Sequence, residues 1–338
     1  MILPVLNERA VIERTLASLT GQQLAAGDSL EVLVIDGGST DGSQDIVRNI
    51  ARHDPAIRLI PNPHRTAPHA FNLGLAAARG EYVCILGAHC RYASDYIAVC
   101  LRELELHGAV GCSGRVFTRP AGSTIGAMLA YWAMGHPFAV SSRSFRTQPE
   151  GFAETVAYPV FRRASLLAVG GYDERMTRNQ DNDMNHRLRR AGHRLYSTWK
   201  TSCEYRARAG VGSLLQYADG NGRWCGISAR RAPASLGTRH YVPALFTAAV
   251  GLGTVLAIGG AMVGSAVAVT LGTLPVAAHL FAGHAASVHL AARERDPRAL
   301  LLPTVLIAFH LRYGWRFFQG LFSRETVGPT PSHALTRG

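Results

Sequence analysis

Acidic residues near the start of one predicted helix are the clearest candidates for acid–base chemistry in this chain. Residues 170–192 read GGYDERMTRNQDNDMNHRLRRAG, in which apolar residues at helical spacing predict a helix that is capped by Asn179 and ends at Gly192. Asp181 then lies in the first turn, where the helix dipole keeps a carboxylate ionised and able to accept a proton from a hydroxyl group. Asp181 and Asp183 equally fit acids that only stabilise a helix N-terminus, and spacing alone leaves both interpretations open.

Polar and glycine residues also follow the first two predicted strands. PVLNE (4–8) follows the first strand, and DGGSTDGS (36–43) follows the second. Ligands of doubly wound sheets bind beyond the carboxyl ends of the strands, so Asp36 could accept hydrogen bonds from a nucleobase or a ribose, while the glycines allow close backbone approach. An ordinary strand-to-helix turn with a capped helix would use the same residues.

Two further segments carry weaker signals. Asn72 lies in APHAFNLGLAAARGEY, where packing explains the apolar face and Gly80 suits the helix end. His89, in LGAHCRY (86–92), follows the fourth predicted strand and could face a metal ion or a diphosphate, or lie in an exposed loop. The chain has neither GxGxxG after the first strand nor GxxxxGK[ST], which argues against a dehydrogenase and an ATPase.

The elements that must position these residues alternate between short apolar runs and helical periods as far as Gly114. This rhythm predicts parallel strand–helix–strand units and hence an α/β fold with a doubly wound, mostly parallel sheet. We expect strands at 2–5, 31–35, 57–60, 82–86 and 109–112, and helices near 8–19, 42–52, 67–79 and 94–106. An apolar stretch at 123–140 could form a buried or an interfacial helix, and a charged and polar segment then runs to about Arg239.

Composition and charge indicate membrane association and anionic ligands. Hydrophobic residues make up 47% of the 338 residues, charged residues only 17%, and the net charge is +12. Nearly all the basic residues are arginines, which suit phosphates and anionic lipid headgroups. No zinc finger, RNP-type aromatic motif or basic helix supports nucleic-acid binding. The six cysteines form no CxxC pair, so we expect small buried hydrophobes in a reducing environment and no structural zinc site.

Two long apolar runs follow Arg239. Residues 241–263 and 266–290 contain no charged side chain apart from possible histidinium, and each matches the about 20 residues that cross a bilayer. A shorter run within 299–320 predicts a re-entrant or interfacial helix, with a full span as the alternative. Three histidines of the second run are five residues apart and do not share a helix face, which favours packed side chains over a metal site: His279, His284 and His289.

The arginines that flank this hairpin predict its orientation. Arg230, Arg231 and Arg239 precede the first run, and a similar group follows the second, so both ends of the hairpin should face the cytoplasm. The N-terminal sequence MILPVLNERAV has no basic region followed by a long apolar core, so we expect no cleaved signal peptide. These patterns predict a multi-pass membrane protein whose main domain faces the cytoplasm.

Five motifs in fixed order make the chain resemble the family 2 glycosyltransferases of the GT-A fold, and among them the bacterial exopolysaccharide enzymes of the succinoglycan type. The motifs are PVLNE, VIDGGSTDGS, FNLGLAAARGEYV, VGGYDE and NQDNDMNHRLRRAG. The resemblance implies a GT-A domain at 1–230, with a nucleotide-sugar half at about 1–115 and an acceptor half at about 116–230. A C-terminal α-helical membrane region at 231–325 and a flexible tail at 326–338 complete the expected organisation.

The resemblance also implies roles for individual residues. It implies an inverting transfer in which Asp181 accepts the proton of an acceptor hydroxyl while that hydroxyl displaces the nucleotide diphosphate from the anomeric carbon. Gln180 and Arg187 belong to the same motif, and Arg223 and Trp224 match part of the family's product-site motif. The positions implied for donor binding are Pro4, Leu6, Asn7, Glu8, Asp36, Gly38, Ser39, Asn72, Ala88 and His89.

Departures from the family pattern concern the charges of the site. Gln180 replaces the usual Glu beside the base, which removes a second charge but leaves the base itself. The family's metal-binding Asp-x-Asp position reads Gly87, Ala88 and His89, so both carboxylates are absent. Hard divalent ions prefer oxygen ligands, and a single imidazole such as His89 serves Mn²⁺ better than Mg²⁺.

The leading hypothesis is therefore an active hexosyltransferase that uses a nucleotide-diphosphate sugar, most simply UDP-hexose. Its acceptor would be a polyprenyl-linked saccharide in exopolysaccharide or cell-envelope glycan synthesis. A divalent cation, Mn²⁺ or Mg²⁺, would be held mostly by the diphosphate and by His89, while Arg206 and Arg208 share the charge neutralisation. The alternative is a non-catalytic nucleotide-sugar-binding or scaffold protein. A transporter or channel is disfavoured because neither span carries an acid or an arginine.

Overall fold

The computed structural model describes residues 1–87, 90–140 and 144–323. The chain divides into two compact units. The first contains Met1–Phe117 and Gln148–Tyr205, and the second contains Thr118–Thr147 and the residues from Arg206 onward. The expected flexible tail at 326–338 lies outside the described residues.

The first unit begins with a three-stranded parallel sheet. Its first two strands are apolar apart from a closing aspartate and are mostly or wholly buried, whereas the third contains an arginine and is half-buried. The strands, in spatial order, are β1 (Ile2–Val5), β2 (Val32–Asp36) and β3 (Ile57–Pro61), and the helices that follow them are α1 (Ile12–Thr20), α2 (Ser43–Ala51) and α3 (Ala67–Ala77). The register pairs Val5 with Asp36, and Asp36 with Pro61, so the carboxyl ends of all three strands meet at one edge.

A second, six-stranded sheet occupies the rest of this unit. Its spatial order is β4-β8-β6-β9-β5, with β7 paired to β9. The strands are β4 (Tyr82–Cys84), β5 (Cys90–Tyr92), β6 (Gly111–Arg119), β7 (Gly151–Phe152), β8 (Val160–Arg162) and β9 (Leu195–Arg206). A parallel bridge between Ile2 and Ile85 joins this sheet to β1.

The six-stranded sheet differs from the expected run of parallel neighbours. β4 and β6 point the same way, as their sequence pattern predicts, but β8 lies between them and pairs antiparallel with both. The sequence analysis assigned no strand to the polar segment that supplies β8 and β9. β8 has only three residues, and several residues of β9 are exposed or half-buried, so neither strand shows a long apolar run.

Three more helices complete the first unit: α4 (Tyr96–Leu106), α7 (Arg163–Ala168) and α8 (Gln180–Arg190). The predicted helix after Asn179 is confirmed, although the Asn179 side chain makes no capping hydrogen bond and its backbone is left-handed (φ 61°). Met184 and Leu188 of α8 are fully buried in the core formed with Ile2, Leu33 and Phe161. This packing anchors α8, and hence Asp181, to the sheet.

The second unit is helical. Its helices are α5 (Ile125–Gly135), α6 (Pro137–Val140), α9 (Val211–Arg231), α10 (Val242–Met262), α11 (Ala266–Glu294) and α12 (Leu302–Leu321), joined in places by short 3₁₀ turns at Pro233–Ser235, Thr238–His240 and Pro297–Leu301. Two of them, α10 with its preceding turn and α11, are long and apolar enough to cross a membrane. The stretch at 123–140 forms α5 and α6, and α5 buries Trp132 within the unit.

Glycines let the long helices of the second unit approach closely. A side chain at Gly222 or Gly226 of α9 would overlap backbone atoms of α12, and one at Gly320 of α12 would overlap the backbone of α9. Gly253 and Gly272 play the same part between α10 and α11. The third apolar run therefore forms a 20-residue helix packed along α9, and its placement as a re-entrant or interfacial helix stays a prediction, as does a domain boundary at residue 230.

The histidines of α11 are not all isolated. The Nε2 atom of His279 lies 2.9 Å from Nδ1 of His310 in α12, within a cluster that includes Phe138 and Phe246. Among the residues that the structure describes, no group of three or more His, Cys, Asp or Glu is placed to hold a metal ion. All six cysteines are buried and none forms a disulfide bond, in keeping with their expected behaviour as small hydrophobes.

Replacing Gly226 by Ala is expected to open the contact between α9 and α12. The new methyl group would overlap the Phe317 carbonyl and lie 2.7 Å from the Leu321 nitrogen, and both are backbone atoms that cannot move aside alone. We expect the free energy of unfolding to fall by about 1–3 kcal/mol, the usual cost of overpacking. Thermal and denaturant unfolding of the purified chain in detergent measures this change in the free energy of unfolding.

Gly212→Ala is the matched control, because it lies on the same helix with no atom within 4 Å of the new methyl group. Helix propensity alone favours Ala there by about 0.5–1 kcal/mol. Equal stability of the two variants would show that α9 and α12 do not pack through Gly226.

Candidate functional site

The carboxylate of Asp36 organises the edge where the three parallel strands end. It is 4% exposed and accepts hydrogen bonds from the backbone N–H groups of Gly38 (2.8 Å) and Ser39 (3.0 Å) and from Nε2 of Gln44 (2.7 Å). The Ser39 hydroxyl donates to its second oxygen at 2.5 Å. Burying a carboxylate is costly without such donors, and here they also fix its orientation.

The loop after β1 is tied to the loop after β2 by side chains. Asn7 donates its N–H to the Ser39 hydroxyl (2.8 Å), and its own Oδ1 accepts from the N–H of Thr40 (2.9 Å). Glu8 donates its N–H to the Ser43 hydroxyl at 2.8 Å. These bonds hold Asn7 in a left-handed conformation (φ 57°), and α1 therefore begins at Ile12 and not near residue 8 as predicted. The structure thus brings together seven residues expected in donor binding: Pro4, Leu6, Asn7, Glu8, Asp36, Gly38 and Ser39.

Asp41 adds a second carboxylate to this pair of loops. Its Oδ2 accepts the N–H of Arg9 at 2.9 Å, while its Oδ1 accepts from Ser43. The hydrogen bond from the Ser43 hydroxyl, followed by that from the Arg9 backbone, lowers the pKa of Asp41. The loop contacts therefore persist at acidic pH better than an unassisted aspartate would allow.

A cleft of about 440 Å³ opens beside Asp36. Its walls combine apolar side chains with a few polar groups, namely Asp36, Gly38, Gln44, Arg48, Leu59, Pro61, Asn62 and Pro63. Asn62 is 3% exposed; its Nδ2 donates to the Thr66 carbonyl at 2.9 Å, and its Oδ1 has no hydrogen-bond partner. An unpaired buried carbonyl is costly, which makes this oxygen a candidate acceptor for a ligand N–H.

Sequence reasoning missed Gln44, Arg48 and Asn62. Asn62 directly follows β3, so the rule that singled out Asp36 at the end of β2 would also have found Asn62. Gln44 and Arg48 lie on α2, and no spacing rule assigns a helix side chain to a cleft before the sheet register is known.

Asn72 lies buried between α3 and the segment that leads to α8. Its Nδ2 donates to the Tyr172 carbonyl and to Oε1 of Glu174, both at 2.9 Å, and its Oδ1 accepts the N–H of Tyr172 at 2.8 Å. Both N–H groups of the amide are therefore used within the protein. The contacts indicate that Asn72 holds the 172–174 segment against α3.

The two acids of α8 have different surroundings. Asp183 is 7% exposed and pairs with Nε of Arg187 at 2.8 Å, and Arg187 also donates to the Val169 carbonyl at 2.7 Å. Asp181 is exposed, with its Oδ1 accepting the N–H of Asn182 at 2.9 Å. Asp183 therefore has the structural role that spacing could not assign, and Arg187 holds the helix through it. Asp181 is the acid that solvent and a ligand can reach.

Gln180 and Tyr172 lie close to this acid. The Oε1 atom of Gln180 is buried without a hydrogen-bond partner. Burial raises the pKa of Tyr172, and the negative charge of Asp181 adds to that effect, which places the two side chains within electrostatic reach of each other.

The position of the family's metal-binding carboxylates does not suit a carboxylate-held cation. Gly87 donates its N–H to the Tyr92 hydroxyl at 2.8 Å, and a Cβ at position 87 would lie 3.1 Å from Cε1 of Tyr158. Ala88 and His89 lie outside the described residues. Within the described ranges no cluster of three acidic, histidine or cysteine side chains offers an alternative site.

The remaining candidates belong to the second unit. Arg223 and Trp224 lie on α9, with Arg223 exposed and Trp224 half-buried. Arg206 follows the first unit at the end of β9, and the Arg208 guanidinium lies over the Tyr217 ring at 5.1 Å. The structure therefore groups the donor candidates and Asp181 in the first unit, and Arg223 and Trp224 in the second.

Sequence comparisons match this arrangement to known proteins. The profile of the family described as Glycosyl transferase family 2 matches residues 1–166. The succinoglycan biosynthesis protein ExoA of Rhizobium meliloti is 30% identical over 329 residues, covering 95% of this chain and 94% of its own length. A dolichyl N-acetyl-alpha-D-glucosaminyl phosphate 3-beta-D-2,3-diacetamido-2,3-dideoxy-beta-D-glucuronosyltransferase of Methanococcus voltae is 22% identical, covering 97% of this chain and 98% of its own.

A solved structure shows the same fold. The mannosyltransferase PcManGT from Pyrobaculum calidifontis, in complex with GDP-Man and Mn²⁺, superposes with a TM-score of 0.57 at 21% identity. The match covers 96% of this chain and 86% of that protein. The α/β architecture with its helical C-terminal part is thus a GT-A fold, as the motifs predict.

Introducing a carboxylate at position 87 is expected to destabilise the protein. Gly87→Asp would press its Cβ against the Tyr158 ring, and we expect the free energy of unfolding to drop by about 1–3 kcal/mol. In a Tyr158→Ala background the additional cost of Gly87→Asp should shrink, because the obstructing ring is gone. Gly122→Asp, with open space around its Cβ, serves as the control. If thermal unfolding shows that Gly87→Asp lowers the stability equally in both backgrounds, the contact with Tyr158 is refuted.

Proposed function

The chain belongs to glycosyl transferase family 2, and from that membership we propose that it transfers a hexose, with inversion, from UDP-hexose to a lipid-linked saccharide. The observation that carries the proposal is the cleft at the ends of β2 and β3. Its apolar wall of Leu59, Pro61 and Pro63 suits the faces of a nucleobase, while Asp36 and Asn62 offer acceptors to its edge. Asp36 and the six donor-binding candidates grouped with it are then proposed to surround the nucleoside and the start of the diphosphate.

Asp181 is the proposed catalytic base. Its carboxylate accepts the proton of the acceptor hydroxyl as the hydroxyl oxygen forms a bond to the anomeric carbon and the bond from that carbon to the diphosphate oxygen breaks. Asp181 lies in the first turn of α8, where the helix dipole favours negative charge, and the Asp183–Arg187 pair fixes the helix that carries it. Gln180 supplies an unpaired carbonyl next to the base, suited to a hydroxyl of the acceptor sugar. Arg223 and Trp224 are proposed to contact the acceptor or product.

The developing charge of the leaving diphosphate needs compensation. The structural neighbour carries Mn²⁺, and for this chain we propose a divalent cation, Mn²⁺ or Mg²⁺, that is bound mainly by the diphosphate oxygens with His89 as its protein ligand. Because the described residues offer no carboxylate set for it, Arg206 and Arg208 are proposed to provide part of the positive charge.

The helices of the second unit support a reaction at a membrane surface. α10 and α11 are long and apolar enough to cross a bilayer, and arginines lie before α10 and after α11. The name of the Rhizobium relative refers to succinoglycan biosynthesis, and that of the Methanococcus relative to a dolichyl-phosphate-linked sugar. We therefore propose a polyprenyl-linked acceptor, exopolysaccharide or cell-envelope glycan as the product class, and a catalytic domain on the cytoplasmic side of the inner membrane.

A non-catalytic nucleotide-sugar-binding protein is the second candidate. Two observations favour it: Gly87 stands where the family places a metal-binding carboxylate, and Gln180 stands where it places a second acid. Such a protein would bind UDP-sugar without turnover, which distinguishes the two functions in a single assay.

Asp181→Asn should abolish transfer and leave donor binding intact. The amide cannot accept the proton of the acceptor hydroxyl, so we expect turnover to fall at least about 100-fold, the lower range for a lost general base. The dissociation constant for UDP, measured by calorimetry, should not change. Asp28→Asn, an exposed aspartate in a loop, is the matched control. Full activity of Asp181→Asn would rule out the assigned base, and binding without turnover by the wild type would support the second candidate.

Asn62→Ala should weaken UDP binding. Its unpaired Oδ1 lies in the wall of the cleft, and loss of one hydrogen bond costs about 0.5–1.5 kcal/mol, or roughly two- to tenfold in the dissociation constant. Asn49→Ala on the exposed part of α2 is the control. Isothermal titration with UDP gives the result, and unchanged affinity would exclude Asn62 from the nucleoside site.

A further inference from the structure

A cluster of two histidines and a carboxylate lies where α3 meets the segment that precedes α8. The His64 and His69 rings are stacked with their centroids 4.2 Å apart, and Nε2 of His69 is 3.3 Å from Oε2 of Glu174. The Thr66 hydroxyl lies 2.7 Å from Nδ1 of His69. None of these side chains belongs to the donor or base residues assigned above.

A continuous series of contacts through this cluster links the cleft residue Asn62 to the segment that precedes α8. On one side, the Thr66 carbonyl accepts the Nδ2 hydrogen bond of Asn62, which lines the cleft. On the other side, Oε1 of Glu174 accepts the second N–H of Asn72, whose first N–H and carbonyl hold the backbone of Tyr172. Residues 172–179 then lead directly into α8 and Asp181.

The partners of His69 define its neutral form. The Glu174 carboxylate can only accept, so Nε2 carries the proton, and Nδ1 of the neutral ring then accepts from the Thr66 hydroxyl. Burial lowers the pKa of His69; the charge of Glu174 opposes this shift and that of His64 adds to it. Glu174 and His64 are the titratable groups that face His69 among the described residues. Protonation would place a hydrogen on Nδ1, so the Thr66 hydroxyl would have to turn its own proton away and accept, and burial disfavours the charged ring even beside Glu174.

We propose that His69 and Glu174 are positioning residues for the transfer reaction: they hold residues 172–176, and through them Asp181, in the reactive arrangement, and acid loosens that hold. The proposal rests on the proposed function, because it assigns Asp181 as the base. Neither side chain touches the reacting atoms in this scheme. Their effect falls on turnover and on its pH dependence, and not on nucleotide affinity.

Three variants of the full chain in detergent test this proposal. Glu174→Ala removes both the charge and the acceptor for Asn72, and we expect about a tenfold lower kcat with an unchanged dissociation constant for UDP. Glu174→Gln keeps an acceptor for Asn72, so it should recover most of that loss. His69→Gln removes the titrating ring, and we expect the fall in kcat on the acid side to become shallower. Glu13→Ala and His53→Gln, both at exposed positions, are the matched controls.

A readout that does not require turnover separates this proposal from the proposed function. Amide hydrogen exchange of residues 172–176, corrected for intrinsic pH dependence, should be faster in Glu174→Ala than in Glu13→Ala, and in the wild type protection should fall as acid protonates His69. Equal protection in Glu174→Ala and its control, or equal losses of kcat and UDP affinity, would overturn the positioning role. Absence of turnover in the wild type together with the expected exchange difference would count against the transferase and leave the positioning contact intact.

Discussion

The hydrogen bonds around the Asp36 carboxylate are the constraint on which the rest of the proposed site depends. Asp36 ends a fully buried strand, and removing its charge from water is tolerable only because backbone N–H groups, Ser39 and Gln44 surround it. Those donors shape the loop after β2, and Ser39 in turn holds Asn7 in the loop after β1. The hydrogen-bonded carboxylate of Asp36 thus fixes the backbone conformation of two loops and forms part of one wall of the cleft.

The sequence predicted the first half of the fold closely and the second sheet poorly. Buried parallel strands are continuously apolar, so β1 to β3 were located to within one residue, and the family resemblance supplied the GT-A architecture. β8 was missed because three residues between helical segments carry no periodicity. Asp36 was found because it follows an apolar strand. The start of α1 depends on hydrogen bonds between the loops after β1 and β2, which spacing does not reveal. Asn62 follows β3, and the rule that found Asp36 would have found it as well.

Residues of the same type have different roles in this protein, and their burial distinguishes them. Asp181 and Asp183 are two residues apart on one helix, yet Asp183 is buried against Arg187 while Asp181 is exposed. Asn72 uses both of its N–H groups inside the protein, whereas Asn62 keeps a carbonyl unpaired at the cleft. Gly87 fits against Tyr158 in a place where the family carries a carboxylate. Charge and shape at position 87 therefore differ from the family pattern, while the motifs of the Asp36 loops and of the helix that carries Asp181 keep it.

The central claim is that Asp36 and Asp181 serve one bound nucleotide sugar. A structure of the full chain with UDP-hexose bound tests it most directly. The account predicts the uracil in the cleft walled by Asp36 and Asn62, with the Asp181 carboxylate facing the anomeric carbon on the side opposite the diphosphate. A nucleotide bound elsewhere, or an Asp181 carboxylate turned away from the sugar, would contradict it.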